Sequence, residues 1–292
     1  MALFHSLAMG WKFVWVFFCL CPLVFLPGAG QACTLWAAAG VSVVGEGTMI
    51  AKNRDWVPDH RQKMEWISPK GGYRYVGLVA VGSEFPGLRA GVNEKGLVVV
   101  TASPPRYLEK NRHLPREKGL IRKILIRCKN VQEAVSHGEW FVGPRFMMMA
   151  DAQEVVSVEI GLKGQFKVQR PQAGVLSHTN HYLEPEFCPL NPDKPYVSSR
   201  ERLEQIQQFL SSKKSFDLSD YRTISQSQHN GPDNSIWRTG SSPRATRTLA
   251  TWIVHQPFSG KAVLYVRLAN PGEEIEEKQY FLPDLFDGKE KL

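Results

Sequence analysis

Cys33 is the residue best placed to act in catalysis, because it directly follows a small-x-small sequence at the end of an apolar segment. Gly30-Gln31-Ala32 is typical of a signal-peptidase site, and a cut after Ala32 would make Cys33 the first residue. That residue would then carry both a thiol and a free α-amine. An α-amine has a pKa near ~7.7–8.0 and a lysine side chain near ~10.4, so only the former readily accepts a proton at neutral pH. The sequence therefore predicts a nucleophile with its own general base.

Residues 1–32 have the features of a secretory signal. Lys12 precedes an apolar run from Phe13 to Leu26, and Pro27-Gly28 would end a helix before the cut. We expect a chain of residues 33–292 that forms one domain and is exported to the periplasm or the extracellular space. One alternative is an uncleaved membrane anchor, although the run is shorter than the roughly 20 residues that span a bilayer. Another is lipid attachment at Cys33, where Gly30 stands in place of the usual leucine.

The cysteine count agrees with a reactive thiol. Of five cysteines, Cys19 and Cys21 would leave with the signal, so that Cys33, Cys128 and Cys188 remain. In an oxidising compartment an odd number leaves one thiol unpaired. Cys128 and Cys188 can pair with each other, and the sequence does not decide whether they do. A nucleophilic Cys33 has to stay free.

The chain is moderately basic. Its formal net charge is +8, and removal of residues 1–32, with one lysine and no acid, leaves +7. Nine Lys or Arg residues lie between Arg106 and Lys129. No aromatic-rich or motif-bearing sequence accompanies them, so we expect a solvated helix face and no nucleic-acid partner. Attraction to an anionic surface or an acidic substrate is the alternative.

Hydrophobic periodicity predicts mainly strands, with a few helices between them. Ser198 and Glu201 form a capping-box pattern at the start of one helix, and residues 119–130 form another. The polar residues 211–247 are expected to form an excursion or a flap. The Met147-Met148-Met149 run is expected in the core. The predicted strands are Val41–Val44, Thr48–Ala51, Tyr73–Val81, Leu97–Ala102, Arg145–Ala150, Val155–Ile160, Leu249–His255 and Ala262–Leu268.

Several short stretches, in order along the chain, resemble a known family. They are Cys33-Thr34, Ile50–Trp56, Ala90–Leu97, His178–His181 and Ser198–Arg200. Together they resemble N-terminal-nucleophile (Ntn) hydrolases of the penicillin acyltransferase and choloylglycine hydrolase type. The resemblance implies an α+β fold, a four-layer αββα sandwich with mainly antiparallel sheets.

The resemblance also implies roles for four residues. Cys33 would be nucleophile and α-amine base, and Asp55 would hold the amine and tune its pKa. Asn180 would donate its side-chain N–H to the oxyanion or the substrate carbonyl. Arg200 would pair with Asp55 or stabilise the thiolate, with Arg202 as a rival for that role.

Three further positions depart from the family pattern or tune the charge. Choloylglycine hydrolases have an arginine three residues before the aspartate, whereas this chain has Lys52 there and Arg54 two residues later. The sequence leaves open which of the two cations faces the thiol. Ser103 stands near the place of a family asparagine, which argues against bile-salt specificity. The backbone N–H in that segment can still serve the oxyanion.

Other catalytic interpretations have less support. His178 and His181 have H-x-x-H spacing, but no third ligand accompanies them, so neither a metal nor another cofactor is expected. A papain-like site would use Cys33 with His178 or His255, yet the sequence around a papain-type cysteine is missing.

We therefore predict a secreted amidohydrolase that cleaves a linear, non-peptide amide of a small N-acyl substrate through an acyl-thioester on Cys33. No stable membrane anchor is expected after cleavage. An acyltransferase would use the same residues, and a non-enzymatic binding protein is a third alternative. Four aromatic residues are candidates either for an acyl pocket or for the core: Trp36, Trp56, Trp66 and Phe85.

Overall fold

The chain folds into two antiparallel sheets that pack face to face. The computed structural model describes residues 32–82, 85–105, 118–171, 174–192 and 197–292. The first sheet has six strands in the order β10-β1-β2-β11-β12-β13, and the second has seven in the order β3-β4-β5-β6-β7-β8-β9. The strands are β1 Ala32–Ala39, β2 Thr48–Trp56, β3 Arg61–Ile67, β4 Tyr75–Val81, β5 Gly87–Asn93, β6 Val98–Ala102, β7 Arg145–Ala150, β8 Val155–Ile160, β9 Phe166–Gln169, β10 Val175–His178, β11 Arg247–Gln256, β12 Val263–Leu268 and β13 Glu276–Phe281.

Helices cover the outer face of each sheet. Helices α1 and α2 pack on the seven-stranded sheet, and α3 and α4 pack on the six-stranded sheet. This arrangement confirms the four-layer αββα sandwich. The helices are α1 Leu120–Arg127, α2 Val131–Ser136, α3 Val197–Ser211, α4 Leu218–Ser225, α5 Gly231–Asn234 and α6 Leu282–Phe286.

Strand alternation sends neighbouring residues of the six-stranded sheet into different layers. In β1, Cys33 and Leu35 face the seven-stranded sheet, where they join the core between the sheets. Trp36 and Ala38 face the helices and pack among residues of α3 and α4. Because both faces of β1 are covered, all eight of its residues are buried. This explains why the strand is apolar apart from Thr34, whose hydroxyl accepts from Arg202.

Most of the predicted strands are confirmed, with ends that shift by at most two residues, except that β2 continues five residues beyond the predicted end at Ala51. The methionine run from Met147 to Met149 is buried in β7, as expected. The helix predicted over 119–130 is α1, which ends at Arg127. Cys128 and Cys188 both have free thiols, with Cys188 exposed. No helix in the described part of the chain has the length and apolar character of a membrane span.

Two local predictions were wrong. Val41–Val44 is not a strand, because Gly40–Ser42 forms a 3-10 turn, and β2 pairs instead with β1. Ser198 does not cap α3, since the helix begins at Val197 and the Ser198 hydroxyl donates to the Asp233 carbonyl at 2.7 Å.

The polar segment 211–247 is the excursion of the two predicted alternatives, and not a flap. It contains α4 and α5. Its apolar residues, which include Phe216, Tyr221 and Ile236, are buried against the six-stranded sheet.

Candidate active site

The pairing of β1 with β2 places the side chains nearest to Cys33. Cys33 lies opposite Arg54 in this antiparallel pair, and Lys52 is two residues before Arg54 on the same face of β2. Lys52 Nζ lies 3.6 Å from Cys33 Sγ. Lys52 Nζ also donates to the carbonyl of Thr101, on β6 of the opposite sheet. The register of one hairpin therefore places two cations beside the thiol.

Lys52 is buried in the space between the sheets, and this changes its protonation. Burial lowers the pKa of Lys52 to about 8, and the charges of Arg54 and Arg89 act in the same direction. The Cys33 thiol opposes the shift, because a thiolate favours the ammonium form. Lys52 and Cys33 therefore titrate as an interacting pair.

The thiol is also shifted. Burial and the charge of Asp55 raise the pKa of Cys33, but Lys52, Arg54 and a hydrogen bond from the Asp55 backbone lower it, so that the pKa lies below its ordinary value. Only the thiolate is a strong nucleophile. A buried cysteine among apolar residues alone would favour the protonated form, whereas the two cations favour the thiolate.

Asp55 lies on the other face of the six-stranded sheet, toward the helices. The Thr248 hydroxyl donates to Asp55 Oδ1 at 2.8 Å, and Arg202 and Arg238 each approach Oδ2 to 3.9 Å. Burial raises the pKa of Asp55, while Arg202 and Arg238 oppose that rise. Its pairing partner on β1 is Ala32. The carboxylate thus lies beside the bond between Ala32 and Cys33, with the sheet between it and the thiol.

Asn180 holds the backbone nitrogen of Cys33. Asn180 Oδ1 accepts from the Cys33 N–H at 2.8 Å, and Asn180 Nδ2 donates to the carbonyl of Ser103 at 2.8 Å. The Asn180 backbone N–H donates to the Ser199 hydroxyl at 2.9 Å. Asn180 Nδ2 carries two N–H groups and the Ser103 carbonyl accepts one of them, so the contact of an Asn180 N–H with the oxyanion stays a prediction.

Of the two arginines on α3, the structure brings Arg202 into the site and leaves Arg200 exposed. Arg202 is 1% exposed and donates to Cys33 O at 2.8 Å, Thr34 Oγ1 at 2.7 Å and Asn180 Oδ1 at 3.0 Å. Burial lowers the pKa of Arg202 to about 10, against the attraction of Asp55. Arg202 thus has the position beside Asp55 that the sequence analysis gave to Arg200.

Several residues near the site were missed from the sequence. Arg238 and Thr248 hold Asp55, and no motif marks either of them. Arg89 lies near Arg54 in the space between the sheets, and burial lowers its pKa to about 10. Arg89 directly precedes Ala90–Leu97, one of the stretches that resemble the family, and this position was its only signal in the sequence.

His178 supports the segment that carries Asn180. Its Nδ1 donates to the Thr179 carbonyl at 3.0 Å, and its Nε2 lies 2.9 Å from Glu159 Oε1. Glu159 also accepts the Leu183 N–H at 2.9 Å. His178 is on β10 and Glu159 is on β8, so this buried pair ties the two sheets together. Within the described part of the chain, no group of three or more His, Cys, Asp or Glu side chains is placed to hold a metal ion.

The four aromatic candidates divide between core and site. Trp36 is fully buried among the helices, and Trp66 packs on Phe286. Trp56 stacks under the guanidinium of Arg54 at 4.3 Å and meets Phe85 edge-on at 6.0 Å. Trp56 and Phe85 are therefore the two that border the thiol side of the site.

Two antiparallel sheets between helical layers are the defining feature of the Ntn-hydrolase sandwich, and the chain has this fold. The family model of acyl-coenzyme A:6-aminopenicillanic acid acyl-transferase matches residues 43–272, and the chain belongs to that family. No protein of curated function is significantly similar in sequence.

Solved structures share the fold at low sequence identity. A mutant conjugated bile acid hydrolase from Clostridium perfringens is 13% identical with a TM-score of 0.55, over 84% of this chain and 92% of that one. The N-acylethanolamine-hydrolyzing acid amidase ortholog of Caenorhabditis elegans is 12% identical with a TM-score of 0.54, over 77% and 94%. Both are Ntn hydrolases of the choloylglycine hydrolase type.

Proposed function

We propose that this protein is an exported amidohydrolase in which Cys33 cleaves a linear, non-peptide amide of a small N-acyl substrate. The observation that carries the proposal is the position of Cys33. Its thiol lies 3.6 Å from Lys52 Nζ, and its nitrogen is held at 2.8 Å by Asn180 Oδ1. Cys33 thus combines a thiol whose pKa is lowered with a backbone nitrogen that is held by a hydrogen bond. Its structural neighbours include a conjugated bile acid hydrolase and an N-acylethanolamine-hydrolyzing acid amidase, which agrees with this chemistry.

Removal of residues 1–32 completes the site in this proposal. The Cys33 nitrogen, a peptide nitrogen in the uncut chain, becomes an α-amine at the start of β1. Asn180 Oδ1 accepts one of its protons and so directs its lone pair. Asp55, opposite Ala32 in the strand pairing, lies close to where the new amine forms. The cut that removes the signal therefore produces the general base.

The reaction then follows from the positions of the groups. The α-amine takes the thiol proton, and Sγ bonds to the acyl carbon, so that the carbonyl electrons move onto oxygen. The cations Lys52 and Arg54 lie next to Sγ and stabilise that oxyanion. When the carbonyl re-forms, the C–N bond breaks and the α-ammonium gives its proton to the leaving amine. Water, deprotonated by the α-amine, attacks the thioester and releases the acid and the free thiol.

An acyltransferase is the second candidate, and the family match supports it. It would form the same thioester on Cys33, and a second amine would replace water as the attacking group. The two functions are separated by product analysis with and without an added amine acceptor. Transfer that exceeds hydrolysis at low acceptor concentration would favour the acyltransferase.

N-terminal sequencing and the Cys33→Ser variant test the proposal together. The exported protein should begin at Cys33, and Cys33→Ser should fold normally while its amide turnover falls by about a thousandfold or more, because serine loses the thiolate. Cys188→Ser, which changes an exposed free thiol, is the matched control and should retain activity. An active protein with a different first residue, or an active Cys33→Ser variant, would contradict the proposal.

A further inference from the structure

A cavity lies at the edge of the sandwich, where β3 of one sheet faces β12 and β13 of the other. Its volume is about 460 Å³, within the range of small-molecule sites. In the six-stranded sheet β12 is three strands away from β1, which is about 14 Å at the usual strand spacing. None of the residues that line the cavity contributes to the Cys33 site. Its apolar lining belongs to the core between the sheets or packs on that core, and it includes Met64, Val266, Leu268, Tyr280 and Leu292.

Gln62 adds a polar group to this apolar lining. The residue is 1% exposed, and strand alternation puts its side chain on the same face of β3 as that of Met64. Met64 packs on the core between the sheets, so the Gln62 side chain also points into the space between them. Both Oε1 and Nε2 of Gln62 are without a hydrogen-bond partner among the described residues. A buried side-chain amide normally has such partners, because its lost hydration is otherwise uncompensated.

The backbone of Gln62 is held in place although its side chain is unpaired. The Gln62 N–H donates to Asn270 Oδ1 at 2.6 Å, and the Gln62 carbonyl accepts from Asn270 Nδ2 at 3.0 Å. Asn270 follows β12, so these two bonds join the edge of one sheet to the other. Asn270 Nδ2 also donates to Glu273 Oε2 at 2.9 Å. The side-chain amide therefore extends into the cavity from a fixed backbone position.

The charged side chains around the mouth of the cavity neutralise one another. Each of them is in an ion pair, and the pairs are Arg61–Glu273, Lys63–Glu65 and Lys278–Glu276. These side chains therefore give the cavity no excess charge that would attract an ion. An uncharged ligand fits this lining best.

The unpaired amide of Gln62 also restricts the polar group of such a ligand. A carboxamide presents a donor and an acceptor side by side. A primary amide or a lactam has its own N–H and C=O on one side, so it can satisfy both atoms at once. A trans secondary amide has these two groups on opposite sides and reaches only one of them. A carboxylate has no donor for Gln62 Oε1.

We propose that this cavity binds an uncharged primary amide or lactam with an apolar body, and that Gln62 recognises it through two hydrogen bonds. The apolar body lies against Val266, Leu268 and Tyr280. This site is additional to the Cys33 site, and it takes its ligand without a chemical step.

Binding of cyclohexanecarboxamide to the Cys33→Ala protein that lacks residues 1–32 tests the proposal, because this variant leaves the probe intact. Titration calorimetry should give a Kd on the order of 1 mM or tighter. Cyclohexanecarboxylate and N-methylcyclohexanecarboxamide should bind at least about tenfold more weakly, since each leaves one atom of Gln62 unpaired. Addition of Gln62→Met should weaken binding of the primary amide at least about tenfold. Gln207→Met, which changes an exposed glutamine on α3, is the matched control and should leave it unchanged.

The melting temperature without ligand tests whether Gln62 is unpaired in the free protein. Methionine is close to glutamine in size and lacks the amide, so Gln62→Met should melt at or above the temperature of its Cys33→Ala parent. A melting temperature lower by about 5 °C or more would show that the amide has partners within the protein, and it would overturn the proposal. The proposal also fails if cyclohexanecarboxamide shows no saturable binding, if the three probes bind equally, or if Gln62→Met leaves the affinity unchanged.

Discussion

Replacement of Lys52 by methionine should raise the pKa of the Cys33 thiol. The ammonium and the sulfur are 3.6 Å apart, and both side chains are buried. Two unit charges at that separation attract by about 4–5 kcal/mol at an effective dielectric constant near 20. Since one pKa unit corresponds to about 1.4 kcal/mol, the full attraction equals roughly three units. Arg54 remains in the variant, so we expect a rise of between about one and three units.

The thiolate can be titrated directly by its ultraviolet absorbance, which does not require a substrate. Each variant is compared with its Cys33→Ser counterpart, so that the difference spectrum reports Cys33 alone. At neutral pH, Lys52→Met should contain at least about tenfold less thiolate than the wild type. Lys52→Arg keeps the charge and should titrate close to the wild type. Lys213→Met, which removes an exposed lysine outside the site, should have no effect.

An unchanged thiol titration in Lys52→Met would refute this reasoning, because Arg54 alone would then account for the lowered pKa. A rise in Lys52→Arg as large as that in Lys52→Met would also count against it, since the effect would then come from packing and not from charge.

Three further outcomes follow from the site. In the wild type, amide turnover should decline as pH rises through about 8, because Lys52 then loses the charge that stabilises thiolate and oxyanion. A pH–rate profile of Lys52→Arg should show this decline at higher pH. If the decline stays at the same pH in Lys52→Arg, it belongs to another group. Arg202→Met should lower the free energy of unfolding by about 3 kcal/mol or more in denaturant titrations, since it leaves buried partners unpaired, whereas Arg200→Met should change it by less than about 0.5 kcal/mol. Glu159→Leu should destabilise the protein by about 3 kcal/mol, because it leaves His178 buried without its partner; equal stability to the wild type would contradict this role for the pair.

Local patterns were sufficient for the parts of the fold that depend on alternation and on burial. Strands β4 and β6 and the closing hairpin of β11 and β12 followed from apolar runs between turns. The failures arose where a distant contact decided the outcome. Val41–Val44 has the composition of a strand, but β1 already occupies the pairing edge of β2, so Val41 is left 67% exposed.

The site was predictable only where it is local in sequence. Lys52 and Arg54 could be placed near Cys33 from motif order, but the pairing of β1 with β2 decides that both share its face. Arg200 and Arg202 are two residues apart on one helix, so they lie roughly 200° apart around its axis, and the sequence does not fix the rotation of α3. Arg238 and Thr248 reach Asp55 through tertiary packing that no short motif records.

The mass of the first tryptic peptide during turnover tests the central claim most directly. If Cys33 is both the first residue and the nucleophile, rapid acid quenching should trap a peptide that runs from Cys33 to Lys52 and carries the acyl group of the substrate. The same peptide in free enzyme should have the unmodified mass. A peptide that extends upstream of Cys33 in active enzyme, or an acyl group found on another residue, would contradict the account.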